Sequence, residues 1–285
     1  MRLIRAELLK ARRRSATWVL FILMLVLMAV IYLLSGAAFQ AIGIIEFPGA
    51  YALIGQFAFG LGGLLAMVYA AAFVGADWNW GVVRNVIARG ESRTNYLLAK
   101  AIALAIIFAI ALVVIFLFGV LMSFVTGFLW NVPVASPLRG RGLQDLFDWL
   151  VLSYPVLIQR AAIGLVVAVV LRSQLAGAIV SVVFYLGEPI IRFVFTALTF
   201  SSRGLGGIVD DGGFPEPIGP EWFQFLPITV GDYVINAAPG ALNVQGLESF
   251  FLRPVPLHLG VAAVAIYVAA TLLIGLAFFN RQEIV

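Results

Sequence analysis

Cysteine is absent from all 285 residues, which excludes disulfide frameworks, thiol catalysis, iron–sulfur clusters and cysteine-ligated zinc. Histidine occurs once, as His258, so no histidine-built metal centre is expected. Lysine occurs only as Lys10 and Lys100, and no stretch matches G-x-x-x-x-G-K-[ST], so the chain lacks a P-loop of its own. No G-x-S-x-G elbow offers a serine to His258, and Asp210-Asp211 in a Gly-rich stretch lacks the ligand count of a calcium loop. No catalytic residue, metal or cofactor is expected on this chain. Charge itself is scarce. Charged residues make up 11% of the sequence, whereas a soluble domain carries about 25%. Such a chain cannot cover a water-facing surface with charge.

What is present is apolar: 63% hydrophobic residues and a mean hydropathy of +1.07. Apolar stretches long enough for a helix to cross about 30 Å of hydrocarbon fall near 16–38, 50–75, 98–128, 149–171, 174–199 and 257–280. The sequence thus predicts an all-α integral membrane protein with six spans, forming one transmembrane domain over 1–285. The first apolar run exceeds a signal-peptide core and is read as an uncleaved anchor. The third is longer than a bilayer requires and is expected to tilt or project. Six spans place both termini on one side. Twelve of the eighteen basic residues then share that side and only Arg139, Arg141, Arg203 and Arg253 fall opposite, which predicts cytoplasmic termini. Tryptophans near span ends agree: Trp18, Trp78 and Trp80 inside, Trp130 and Trp149 outside. The net charge of +4 reports this asymmetry; the basic residues form no soluble stripe, and no nucleic-acid partner is expected. The largest non-membrane segment, 200–256, lies outside and is rich in turn formers, consistent with short helices or a re-entrant piece.

The inner segment 76–97 is the most informative. Val82, Val83, Val86 and Ile87 recur at helical spacing while Arg84, Asn85 and Arg89 take other faces, which predicts a short amphipathic helix. Gly90 suits its end, and Ser92 or Thr94 can cap the next helix. Residues 2–14 form a second amphipathic stretch. Leu3, Ile4, Leu8 and Ala11 suit lipid, while Arg5, Lys10, Arg12, Arg13 and Arg14 reach headgroups.

The pattern Asp77-x3-Gly81-x2-Arg84, then Gly90-Glu91-Ser92-Arg93, then Leu97-Leu98-Ala99-Lys100, resembles the inner loop of permeases of the type-2 ATP-binding-cassette exporters. The basic start looks like that family's membrane-surface elbow, and Phe278-Phe279-Asn280-Arg281-Gln282-Glu283-Ile284 like its usual ending. Asp77 stands where the family often has Glu, and Gly90 or Glu91 where it often has Pro. The resemblance implies a permease of a prokaryotic cytoplasmic membrane that works with a second copy, identical or closely paralogous. It also implies a coupling helix docked on a separate cytoplasmic ATPase, with ATP and Mg on that partner. Asp77, Arg84, Arg89, Glu91 and Arg93 are the candidate docking contacts, and membrane lipid is the other expected neighbour of the arginines.

Arg160, Glu188 and Arg192 fall well inside the spans. A charge at that depth costs at least ~2.5 kcal/mol unless paired or hydrated. Arg160 and Glu188 lie at similar depths, which predicts a direct interaction or a shared aqueous pocket. They either fix span packing or line a substrate route. Two other classes stay open: an ATPase-independent secondary carrier or channel relaying ions through Arg160, Glu188 and Arg192, and a membrane-embedded enzyme or assembly factor. Gly55, Gly60, Gly62, Gly63, Ala66, Ala70 and Gly75 mark span two as a close-packing helix.

Overall fold

The computed structural model describes residues 2–38, 47, 50–132, 134, 136, 143–203, 220–237 and 255–282. Of the loops expected outside, 39–46, 48–49, 133, 135, 137–142, 204–219 (with Asp210 and Asp211) and 238–254 lie outside the described residues. Among the described residues every regular element is helical. The order is α1 Arg2–Arg13, α2 Ser15–Ala38, α3 Ala50–Gly55, a π-helical turn Gln56–Leu61, α4 Gly62–Asn79 and α5 Val82–Ala88. Then follow α6 Arg93–Trp130, α7 Leu143–Leu171, α8 Gln174–Arg203, a 3-10 turn Glu221–Phe225, α9 Pro227–Ala237 and α10 Leu257–Arg281.

Six of these stretches are long and apolar enough to cross a membrane: Ser15–Gly36, Leu53–Asn79, Arg93–Trp130, Leu146–Leu171, Gln174–Thr199 and Leu257–Arg281. The protein is a multi-pass membrane protein. Span two is continuous from α3 through the π turn into α4. Span three has 38 residues, about 57 Å at ~1.5 Å per residue, well beyond a bilayer's hydrocarbon.

The core is a helix pair rather than an even bundle. In their most apolar windows, 61% of span two and 67% of span four are buried, against 11% of spans five and six. Small residues make the pairing possible. A Cβ on Gly164 of α7 would stand 2.0 Å from the Met67 carbonyl oxygen of α4, so these helices touch backbone to side. Spans five and six leave Leu175, Ile179, Val183, Ile190, Ile266 and Leu273 exposed, as suits lipid or another apolar surface.

Both described ends of the chain meet at one end of the bundle. α1 packs on the start of α6 and the end of α4. The end of α10 reaches Arg93 at the start of α6, and Gln282 Nε2 donates to the Val169 carbonyl near the end of α7 (2.8 Å). This is the same-side arrangement expected from six spans. α9 is a short helix of the 200–256 segment and lies buried against α7, α8 and α10.

Candidate functional site

Three features carry the chemistry: an exposed short helix, a charge cluster beside it, and a second cluster deep among the spans.

The short helix is α5. Gly81 enters it at φ +63° and Gly90 leaves it at φ +89°, left-handed conformations that glycine adopts without strain. Ser92 then caps α6, its Oγ accepting from the Asn95 amide at 3.1 Å. Val83 is buried, Val86 and Ile87 are partly so, and Arg84, Asn85, Arg89 and Glu91 are exposed. Arg93 is committed elsewhere. Its Nη1 donates to the carbonyls of Phe279 (3.0 Å), Asn280 (2.9 Å) and Gln282 (2.7 Å), satisfying acceptors that the end of α10 leaves orphaned.

Asp77 is not on this surface. It is fully buried at the end of α4, where its carboxylate receives Lys10 of α1, Lys100 of α6 (2.5 Å) and the Tyr96 hydroxyl of α6 (2.5 Å). Glu7 of α1 completes the cluster by accepting from Lys100 at 2.9 Å. Lys100 also lies over the Phe73 and Tyr96 rings at 4.8 and 5.0 Å. Burial holds the Lys10 ammonium below the usual lysine range. The charge on Lys100 lowers it further, and Asp77 opposes both.

The elbow residues therefore divide. Arg5, Arg12 and Arg13 are exposed and free to meet headgroups. Lys10 turns inward to Asp77, and Arg14 lies over Phe73 and Trp80 at 5.7 and 5.2 Å. Ala11, expected to face lipid, is buried in the bundle. The i, i+3, i+4 face formed by Glu7, Lys10 and Ala11 points to α4 and α6, because their charges are complementary.

The deep cluster is centred on Arg160 of α7, which is completely buried. The expected direct bond to Glu188 is absent. Arg160 Nη2 instead pairs with Asp232 of α9, and Nη1 donates to the Phe59 carbonyl in the π turn, with the Tyr185 ring 5.2 Å away. The Tyr185 hydroxyl donates to the adjacent Gly60 carbonyl at 2.7 Å. A π turn displaces the regular hydrogen-bond ladder, and here two of its carbonyls serve side chains of other helices. Gly63 makes room, since a Cβ there would lie 2.1 Å from Arg160 Nη1.

Glu188 of α8 serves the other end of α9. It accepts from the Ile228 amide (2.9 Å), the Thr229 amide (2.5 Å) and the Thr229 hydroxyl. A carboxylate at a helix start satisfies orphan amides and the positive end of the dipole, which accounts for a buried charge without a cationic partner. Arg192 lies one turn further along α8 and is partly exposed.

Trp149, expected as an outer interfacial anchor, is buried; its indole donates to the Ile235 carbonyl in the last turn of α9 at 3.2 Å. Sequence reading missed Asp232, which sits in a segment read as external. The available signal was Pro227–Ala237 itself, an apolar stretch too short to span but of the length of a re-entrant piece. Among the described residues no group of His, Asp and Glu is arranged to hold a metal.

No curated protein matches the chain. A family model described as ABC-2 family transporter protein matches residues 3–188, more than half the chain, from the first turn of α1 to Glu188. The chain therefore belongs to the ABC-2 transporter family, as a membrane permease subunit of an ABC transporter and not its catalytic subunit.

Proposed function

We propose that this permease is one of two copies in an ATP-driven exporter of a prokaryotic cytoplasmic membrane, identical or closely paralogous. Both termini are cytoplasmic. A separate ATPase carries ATP and Mg and docks on α5 through Arg84, Arg89 and Glu91. The observation that carries this reading is the two-sidedness of α5. Its apolar side, with Val83 buried and Val86 and Ile87 packed against the core, lies against α4, while its charged side is exposed. A short helix braced at both ends moves as a body, so a push from a partner passes to spans two and three.

Asp77 and Arg93 act in this reading as braces, not as contacts. Asp77 joins α4 to α1 and α6, and Arg93 joins α6 to the end of α10. An ATPase-independent carrier is less well supported, because Glu188 and two of the three guanidinium nitrogens of Arg160 are already held by internal partners.

The test is affinity purification from native membranes in mild detergent. The permease is expected to bring down a P-loop ATPase, and Arg84→Glu with Arg89→Glu is expected to release it while the permease stays folded. A permease that purifies without any ATPase, or holds it equally well after the double reversal, contradicts the reading.

A further inference from the structure

The ties on α9 differ along its length. Its first turn is held at depth: Glu188 stands eleven residues before the span end at Thr199, about 16 Å along the helix at ~1.5 Å per residue. Gln159 Nε2 donates to the Pro227 carbonyl at 3.1 Å, and Glu188 is 7% exposed. From there α9 climbs beside α7, so that Ile235 meets Trp149, ten residues earlier on α7 than Gln159. Halfway up, the only charged tie among the described residues is Asp232 to Arg160. Its two sides are unequal: the Arg160 side chain is fully buried, and that of Asp232 is 41% exposed. Gly231, beside it, brings α9 against α7 so closely that a Cβ would lie 2.6 Å from Val156 Cγ1.

Resting on the permease reading, we propose that α9 is a gate on the outer half of the transport route, hinged at its Glu188-capped first turn and closed by a releasable clasp between Asp232 and Arg160. Glu188 cannot let go without stranding buried backbone amides, whereas the Asp232 carboxylate is already partly exposed and can turn outward. When it does, the upper part of α9 leaves α7, and Val156 and Arg160 become open to water. Asp232 and Arg160 are thus positioning residues for transport: they set whether the outer route is closed.

The test needs neither substrate nor ATPase, so its failure and a failed purification of the ATPase are separate results. The chain has no cysteine, and Val156, which is 0% exposed, is replaced by Val156→Cys as a reporter. A membrane-impermeant sulfonated maleimide is applied to the outer face of right-side-out vesicles. The reporter is expected to be protected in the otherwise unaltered chain, to label at least about tenfold faster with Asp232→Asn, and to be protected again with Asp232→Glu. Hydrogen exchange on the unaltered chain gives an independent reading: amides of 230–237 are expected to exchange faster than those of 228–229 and of the α4 and α7 contact. Equal labelling of the reporter in the Asp232→Asn and unaltered chains overturns the gate, as does exchange along α9 that is uniform and as slow as in α4.

Discussion

The two buried charge clusters solve the same problem with different partners. At the end of the bundle, Glu7, Lys10, Asp77 and Lys100 pair with one another, side chain to side chain, across α1, α4 and α6. Deep in the spans, Arg160 and Glu188 do not meet, and each draws on backbone groups made available by an irregular piece of chain. Arg160 takes a carbonyl of the π turn as well as Asp232, and Glu188 takes the amides that begin α9. Long side chains from different helices converge readily near the ends of spans. At mid-depth the regular helices have no spare backbone groups, so a broken ladder or a helix start must supply them.

The comparison is broken most directly at Asp77. Asp77→Ala removes the shared acceptor of two ammonium groups and a phenol, all but Lys10 fully or nearly fully buried, and is expected to destabilise by about 3–5 kcal/mol. Thermal unfolding in detergent, followed by size-exclusion chromatography, reads this as loss of most folded protein. Lys10→Ala, at the partly exposed edge of the same cluster, is expected to cost only about 1 kcal/mol.

The deep cluster responds to the loss of backbone partners. Glu188→Ala leaves the Ile228 and Thr229 amides unsatisfied, at about 1–3 kcal/mol each, and is expected to lower the midpoint of thermal unfolding more than Thr229→Val, which forfeits one hydroxyl bond worth about 1 kcal/mol. If the two substitutions shift the midpoint equally, Glu188 is not the cap of α9. Gly63→Ala tests the room made for Arg160. It drives a methyl group into the guanidinium and is expected to cost about 1–3 kcal/mol by the same assay, with no effect on ATPase binding. The smallest effect belongs to Arg93→Ala, which removes a cap on the end of α10. About 0.3–1 kcal/mol is expected, measured as faster hydrogen exchange in the last turn of α10.

Much of this was legible in the residues. Hydropathy placed the spans within a few residues, because backbone in lipid must be helical and the apolar runs are long. Gly90 and Ser92 announced the end of α5 and the cap of α6 through conformations and hydrogen bonds local to the chain. The intramembrane charges Arg160 and Glu188 stood out for the same reason of cost. Their partners did not, because those come from elsewhere: Asp232 from a segment that composition places outside, and the Phe59 carbonyl from a π turn that leaves no periodicity signal. Lys10 and Asp77 were visible as charges near a membrane surface, yet their burial depends on α1 folding back onto α4 and α6, a tertiary fact. Trp149 looked like an interfacial ring until α9 covered it.

The claim that joins these observations is that α5 is the surface through which an ATPase drives the spans. Because the chain lacks cysteine, Asn85→Cys on the exposed side of α5 can be compared with Ser201→Cys at the far end of α8, using a short thiol-to-amine cross-linker in native membranes. The account predicts a cross-link from position 85 to a P-loop ATPase and none from position 201. Absence of that product at 85, or equal capture at both positions, would contradict it.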